Sequence, residues 1–197
     1  MEKRTSFNLV LEERNILTRI GFKGPSKNVK PALKGAVETG KREALTLVEP
    51  AALWTVIDYE ETNKHPIFDG ASRVALCLCT IGPRLEEVIA GTMETDVLRG
   101  LILDAYGSQA VAEISRQVIQ DIEERARRMG LSAGKRFAPG YKSWPVEEQA
   151  FLFGHLPGHL IGVRLTDSFM MVPRKSYSFR VNFQAPACAA PGSAPSA

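Results

Sequence analysis

One long segment with helical periodicity constrains the fold of this chain more than any other feature. Between residues 96 and 129, apolar side chains recur every three or four positions, and Gly130 follows as the expected terminator. The apolar stripe contains Leu103, Tyr106 or Gly107, Ala110, Ile114, Val118 and Ile122. Acid–arginine pairs with four-residue spacing are predicted on the outer face, namely Asp121 with Arg125, Glu123 with Arg127, and Glu124 with Arg128. The sequence therefore predicts one long helix whose apolar stripe lies against a core.

Short apolar and β-branched runs, separated by prolines and glycines, predict strands elsewhere in the chain. These runs cover residues 45–48, 53–57, 74–80, 169–172 and 176–183. Helical spacing predicts further helices at 12–20, at 28–44, directly after Gly82-Pro83 and at 145–156. Together with the long helix, these elements predict an α+β protein.

The composition is that of one globular domain, with 44% hydrophobic and 24% charged residues among 197. Its 25 basic and 22 acidic residues leave a formal charge of +3, which disfavours nucleic acid as a partner. A charged amino terminus, and no run of ~20 apolar residues, indicate a cytoplasmic protein without a membrane partner. We expect a single domain over 1–183. Residues 184–197 are almost only Ala, Pro, Gly and Ser, apart from Gln184 and Cys188, and predict a disordered tail.

The cysteines and histidines predict neither a disulfide framework nor a metal site. Cys77 and Cys79 are separated by one residue, so both point to the same side of a strand, which we expect to be the core side. His155 and His159 have the spacing of two ligands on a helix, but Pro157-Gly158 would break that helix.

The segment from Arg136 to Pro145 is the first candidate site. The planar guanidinium of Arg136 can hold a carboxylate bidentately, and Gly140 allows a close backbone approach or a positive torsion. Tyr141 and Trp144 can present flat faces beside that anchor. The same residues also fit a rigid Pro-Gly turn with a salt-bridged arginine, and both interpretations stay open.

A second candidate segment carries polar side chains within apolar, strand-like surroundings. They are Thr166, Asp167, Ser168, Ser176 and Ser178. Each needs either a ligand or a partner within the protein, and hydrogen bonds in turns and at strand edges would supply the latter.

Two motifs in these segments together resemble the activation domain of cobalamin-dependent methionine synthase. The first reads RFAPGY over 136–141, and the second reads IGVRLTDSFMMVP over 161–173. Residues 79–86 and 103–110 also resemble short, free-standing members of that family, so the resemblance covers roughly 10–183. It implies a twisted, mainly antiparallel sheet flanked by helices, one of them long.

The resemblance also implies a function. Domains of this family bind S-adenosylmethionine and close over the corrin of a cobalamin domain. There they support reductive methylation of cob(II)alamin to methylcobalamin, with an electron from a flavodoxin-like or ferredoxin-like donor. Because this chain carries no cobalamin, homocysteine or folate domain, the resemblance implies a non-autonomous subunit in methionine biosynthesis. Its partner would be a corrinoid protein or a short methionine synthase.

The motif match implies ligand contacts for individual residues. Arg136 would hold the carboxylate of S-adenosylmethionine, and backbone groups of Ala138 and Gly140 would border the ligand. Tyr141 would lie between the ligand and the corrin. No side chain is expected to act as an acid or base, because cobalt is the reactive centre and the methyl donor is already a cationic sulfonium.

Further family contacts correspond to less well matched positions. Asp58 would meet the amino group of the ligand, and a family glutamate near the corrin falls at Gln109 or Glu113. The pair of tyrosines that contacts the nucleoside in the long synthases has no counterpart in 184–197. A second hypothesis therefore stays open, namely an accessory module of another methyl-transfer pathway that binds a corrinoid protein without S-adenosylmethionine.

Overall fold

The computed structural model describes residues 1–25, 28–62, 66–141 and 144–186. The helices are α1 (Glu13–Arg19), α2 (Pro31–Leu47), α3 (Arg84–Met93), α4 (Val97–Arg128) and α5 (Gln149–His155). The strands are β1 (Glu2–Arg4), β2 (Ala51–Asp58), β3 (Arg73–Thr80), β4 (Ser132–Phe137), β5 (Arg164–Leu165), β6 (Met171–Val172) and β7 (Ser176–Gln184). Short 3₁₀ helices lie at Tyr59–Thr62, Pro66–Phe68, Val146–Glu148 and Gly158–Ile161.

Five of the strands form one antiparallel sheet in the order β1-β2-β3-β7-β4. The central strand β3 is buried over all residues but its first, as its continuous apolar sequence requires. Strands β5 and β6 form a separate hairpin. The predicted α+β class with a mainly antiparallel sheet and one long helix is confirmed.

The two faces of the sheet are covered by different layers. Because side chains alternate along a strand, Phe179 and Val181 of β7 pack into the core beneath helices α1 to α4. On the opposite face, Leu76 and Leu78 of β3 pack with Trp144 and with residues of α5. Trp144, between β4 and α5, therefore belongs to the second layer, whereas Ala138, directly after β4, belongs to the helical layer.

The long helix α4 matches its prediction closely. The Asp96 carboxylate caps its start by accepting from the Arg99 amide at 3.0 Å, and Gly130, with φ +70°, follows its end. Every member of the predicted apolar stripe is buried. Of the predicted ion pairs, Glu124–Arg128 forms at 3.0 Å. The other two were wrong, because Asp121 pairs with Arg4 of β1 and Arg127 pairs with Glu124.

Residues 45–48 are not a strand, which corrects the prediction. Helix α2 continues to Leu47, and the Val48 amide still donates to the Ala44 carbonyl at 3.0 Å. Ala44 is fully buried in the helical layer, so tertiary packing outweighs the β propensity of this short run.

Two edge strands were not predicted, and a third strand is shorter than expected. β1 and β4 are mostly exposed and polar, so neither has the apolar alternation by which a strand is recognised. Residues 169–172 contribute only Met171–Val172 to a strand, because Phe169 has φ +59° in the β5–β6 turn. β7 reaches Gln184, and residues 187–197 of the predicted tail, with Cys188, lie outside the described residues.

Cys77 and Cys79 are fully buried on the helical side of β3, as predicted, and burial raises the pKa of the Cys77 thiol. Within the described ranges, no helix combines the length and the apolar character that a membrane crossing would need.

Candidate functional site

A groove of about 400 Å³ opens where β4 ends beside helix α4. Its lining residues are Lys135, Arg136, Phe137, Ala138, Tyr141 and Tyr177. Three of these, Arg136, Ala138 and Tyr141, are residues that the first motif singles out. The groove is therefore the place where the motif residues meet.

Arg136 is the anchor of the groove and extends toward α4. The β4–β7 register shifts between Ala133 and Arg136, and beyond this irregularity Arg136 lies opposite Val181, on the helical side of the sheet. Its Nη1 donates to Ser115 Oγ of α4 at 2.8 Å, and its Cζ lies 5.5 Å from the ring centroid of Tyr177. These two contacts fix the orientation of the guanidinium.

No carboxylate in the described part of the chain pairs with Arg136. The interpretation of this residue as a salt-bridged arginine is therefore wrong for the residues that the structure describes. Ser115 accepts from one of the five guanidinium N–H donors, and no other acceptor of the described residues takes the rest, which can therefore serve a ligand. A planar fork with open donors suits a carboxylate, which it can hold through two parallel hydrogen bonds.

A tight turn after β4 forms the outer wall of the groove. Gly140 has φ +83°, and its amide donates to the Trp144 carbonyl at 2.8 Å. The Trp144 amide donates back to the Tyr141 carbonyl at 3.1 Å. Ala138 is buried at the base of the turn, whereas the Tyr141 ring is 70% exposed at its tip. The structure thus contains the predicted turn at Pro139-Gly140, with Tyr141 exposed to solvent at its tip.

Sequence reasoning missed Tyr177, which lines the groove, and Ser115, which accepts a hydrogen bond from Arg136. Tyr177 follows the start of β7, and burial raises the pKa of its phenol while the positive charge of Arg136 acts in the opposite direction. Its register partner on β3 is Cys79, so Tyr177 faces the helical layer. Finding it from sequence would have required knowing that β4 pairs with β7, because only that pairing brings residues 136 and 177 together.

The structure does not bring Asp58 to the groove. Asp58 ends β2 and pairs with Arg73, whose Nε lies 2.9 Å from Asp58 Oδ1. In the sheet order, β3 and β7 separate β2 from β4. Arg73 lies opposite Phe183 at the far end of β7, so Asp58 is distant from the groove both across the sheet and along it.

Gln109 and Glu113 lie on α4 but do not line the groove, and Glu113 is linked to the amino-terminal segment through Gln117. Glu113 accepts from Gln117 Nε2 at 2.8 Å, and the same amide donates to the Asn8 carbonyl at 2.7 Å. The hydrogen bond from Arg116 lowers the pKa of the Glu113 carboxyl. Two residues along a helix correspond to a rotation of about 200°, so Glu113 lies on the side opposite Ser115. Gln109 is buried, and its Oε1 has no hydrogen-bond partner.

The polar residues of the second candidate segment are largely satisfied within the protein. Ser176 donates to Thr80 Oγ1 at 2.9 Å, and Ser178 donates to Gln149 Oε1 at 3.0 Å. The hydroxyls of Thr166 and Ser168 lie 3.0 Å apart in the β5–β6 turn. These four residues therefore do not require a ligand.

A second cavity, of about 530 Å³, lies between α3, the amino-terminal part of α4 and the turn before β7. Its Lys175 Nζ lies 2.7 Å from Asp104 Oδ1 and donates to Ser108 Oγ at 2.7 Å. Because these groups already satisfy one another, the groove at Arg136 is the better candidate for an anionic ligand. Within the described ranges, no group of three or more His, Cys, Asp or Glu side chains is arranged to hold a metal ion.

Comparison with known proteins shows a similarity of fold. No protein family model and no curated protein matches the sequence. Among solved structures, the chain is similar to a crystal structure of the MetH reactivation domain bound to AdoHcy, with a TM-score of 0.66. The match covers 95% of this chain and 79% of the other at 13% sequence identity. The fold is that of the MetH reactivation domain. At this identity the likeness establishes the fold, and the bound AdoHcy belongs to the MetH structure.

Proposed function

We propose that this chain binds S-adenosylmethionine in the groove at Arg136 and docks on a separate corrinoid protein, where it supports reductive methylation of cob(II)alamin to methylcobalamin. One observation carries the proposal. Arg136, Ala138 and Tyr141 converge on one groove, beside the Gly140 turn, in a fold whose MetH counterpart was bound to AdoHcy.

The chemistry of the groove suits the amino-acid end of such a ligand. Arg136 offers open N–H donors to the carboxylate, while Ser115 and Tyr177 hold its guanidinium in place. Gly140 presents no side chain on the turn, so the ligand can approach the backbone. The protein's task is to position the sulfonium methyl group, because the cobalt of the partner's cobalamin supplies the reactive centre.

The exposed ring of Tyr141 supports the docking part of the proposal. It is 70% exposed at the mouth of the groove, where it can lie between the bound ligand and an approaching corrin. A flavodoxin-like or ferredoxin-like protein would supply the electron to that complex.

Titration calorimetry with S-adenosylmethionine and AdoHcy tests the ligand. Arg136→Ala should weaken binding about 10- to 100-fold, as expected for lost hydrogen bonds to a charged group. Arg127→Ala is the matched control and should leave the affinity unchanged, because Arg127 is an exposed arginine on α4 whose salt-bridge partner among the described residues is Glu124. No binding to the wild-type protein, with or without a corrinoid protein, would overturn the proposal.

The same experiment distinguishes the proposed function from a second candidate, an accessory module of another methyl-transfer pathway. The absence of any tyrosine from residues 184–197 favours it. A corrinoid protein that binds this chain while S-adenosylmethionine does not would identify the accessory role. In that case Tyr141→Ala, rather than Arg136→Ala, should weaken the complex.

A further inference from the structure

Arg180 is a buried cation on the face of the sheet opposite the groove. It belongs to β7, is 3% exposed, and lies opposite Phe137 of β4 in the register. No carboxylate of the described residues pairs with it, and its hydrogen bond to Asn182 Oδ1 stays within its own strand. Burial lowers the pKa of Arg180 to about 10. A charge in this position needs compensation from its surroundings.

Three aromatic rings provide that compensation. The guanidinium carbon lies 4.8 Å from the ring centroid of Phe137, 5.0 Å from that of Phe68 and 5.3 Å from that of Trp144. Apart from the bond to Asn182, the contacts of the guanidinium are to ring faces, and among the described residues neither Arg180 Nε nor Trp144 Nε1 has a hydrogen-bond partner. Moving a ring away would remove part of the cation–π interaction that offsets the cost of burying the charge. The Arg180 charge therefore stabilises the three rings in their positions against β7.

Two of these rings border the turn that forms the groove wall. Phe137 directly precedes Ala138, and Trp144 exchanges hydrogen bonds with Gly140 and Tyr141. The two residues that flank the turn, Phe137 and Trp144, therefore both pack against the Arg180 side chain.

We propose that Arg180 is a positioning residue that holds the Ala138–Tyr141 turn, and with it the wall of the groove, in a binding-competent geometry. The proposal rests on the proposed function for its effect on ligand affinity. Its structural part, the restraint of the turn, is independent of any ligand.

Amide hydrogen exchange in the full chain tests the restraint without a ligand. Arg180→Met retains an unbranched chain in the core and removes the charge, and Arg180→Lys keeps the charge without the planar fork. In Arg180→Met, we expect the Gly140 and Trp144 amides to exchange at least 10-fold faster. Amides of the β2–β3 ladder should keep their protection, and Arg180→Lys should be intermediate. If Arg180 contributed only to global stability, its replacement would change the exchange rates of both sets of amides or of neither.

Calorimetry with AdoHcy provides the second readout. The affinity should fall about 10-fold in Arg180→Met and be partly restored in Arg180→Lys. Unchanged exchange at Gly140 and Trp144 in both variants, or equal loss of protection in the β2–β3 ladder, would overturn the proposal. If the wild-type protein binds no AdoHcy, the exchange result still decides whether Arg180 restrains the turn. If Arg180→Met does not fold, the comparison of Arg180→Lys with wild type decides it.

Discussion

At the scale of single residues, the groove depends on how Arg136 is held. Ser115 accepts from one N–H group, the Tyr177 ring lies beneath the guanidinium, and Arg136 lines the groove. An arginine restrained in this way loses little conformational freedom when a carboxylate binds, so its restraint contributes to affinity.

Replacing Tyr177 separates the role of its ring from that of its hydroxyl. Tyr177→Ala removes the cation–π contact and should weaken S-adenosylmethionine binding about two- to fivefold, since such contacts contribute ~0.5–1 kcal/mol at accessible sites. Tyr177→Phe retains the ring and is the control. Calorimetry that gives equal losses for both variants would show that the hydroxyl, not the ring, matters.

Gly140 is the position where the turn requires a glycine. A φ of +83° costs ~1 kcal/mol for a residue with a Cβ. Space is not the obstacle, because a Cβ added at Gly140 would lie 3.9 Å from its nearest neighbour, Val146 Cβ. Gly140→Ala should therefore lower the free energy of unfolding by about that amount and also weaken ligand binding. Gly154→Ala, in α5 with open space around it, is the control and should be neutral or stabilising in urea denaturation.

The residues of the groove could be predicted from sequence only in part. Arg136, Ala138, Gly140 and Tyr141 are contiguous, so a local motif is enough to group them. Ser115 and Tyr177 come from α4 and β7, and their place depends on tertiary pairing that no local pattern encodes. For the same reason, a sequence match assigned Asp58 to the amino group of the ligand, although β3 and β7 separate its strand from the groove.

At the scale of elements, α4 organises the helical layer. The fully buried Tyr106 donates from its hydroxyl to the Val37 carbonyl of α2 at 3.1 Å, which joins the two helices. This helix was predictable because its apolar period is long and its caps are explicit. β4 was not, because an exposed, polar edge strand lacks any apolar alternation.

The buried phenol of Tyr106 predicts a specific alkaline instability. Burial raises its pKa above the ordinary value near 10, so above that pH the folded state binds more protons than the unfolded state. The free energy of unfolding should therefore fall as pH rises above about 10, and Tyr106→Phe should remove this part of the fall.

Urea denaturation at several pH values measures this effect. Tyr106→Phe should be less stable than wild type near neutral pH by ~1 kcal/mol, because the Val37 carbonyl loses its donor. The difference should shrink as pH rises past 10. Tyr141→Phe, at an exposed ring, is the control. A difference between Tyr106→Phe and wild type that is independent of pH would contradict the account.

At the scale of the whole molecule, composition and element types were enough for the α+β class, whereas the strand order was not. In the order β1-β2-β3-β7-β4, the last strand lies between β3 and β4. Local sequence patterns do not encode this order, because it depends on pairing between strands that are far apart in the sequence. It places Tyr177 of β7 beside Arg136 of β4 in the groove.

The carboxy-terminal segment gives a prediction about the extent of the domain. Residues 187–197 hold no large apolar side chain that could offset the entropy of ordering them. Removing them should leave the melting temperature and ligand affinity unchanged in thermal denaturation and calorimetry. A marked loss of either would mean that residues beyond 186 contribute to the domain.

The central claim is that the groove at Arg136 is the ligand site of this protein. A crystal structure of the full chain grown with AdoHcy tests it most directly. The account predicts the ligand carboxylate within hydrogen-bond distance of Arg136 and the ligand beside the Gly140 turn, with the Tyr141 ring over it. AdoHcy bound in the cavity between α3 and α4, or elsewhere without contact to Arg136, would contradict the account.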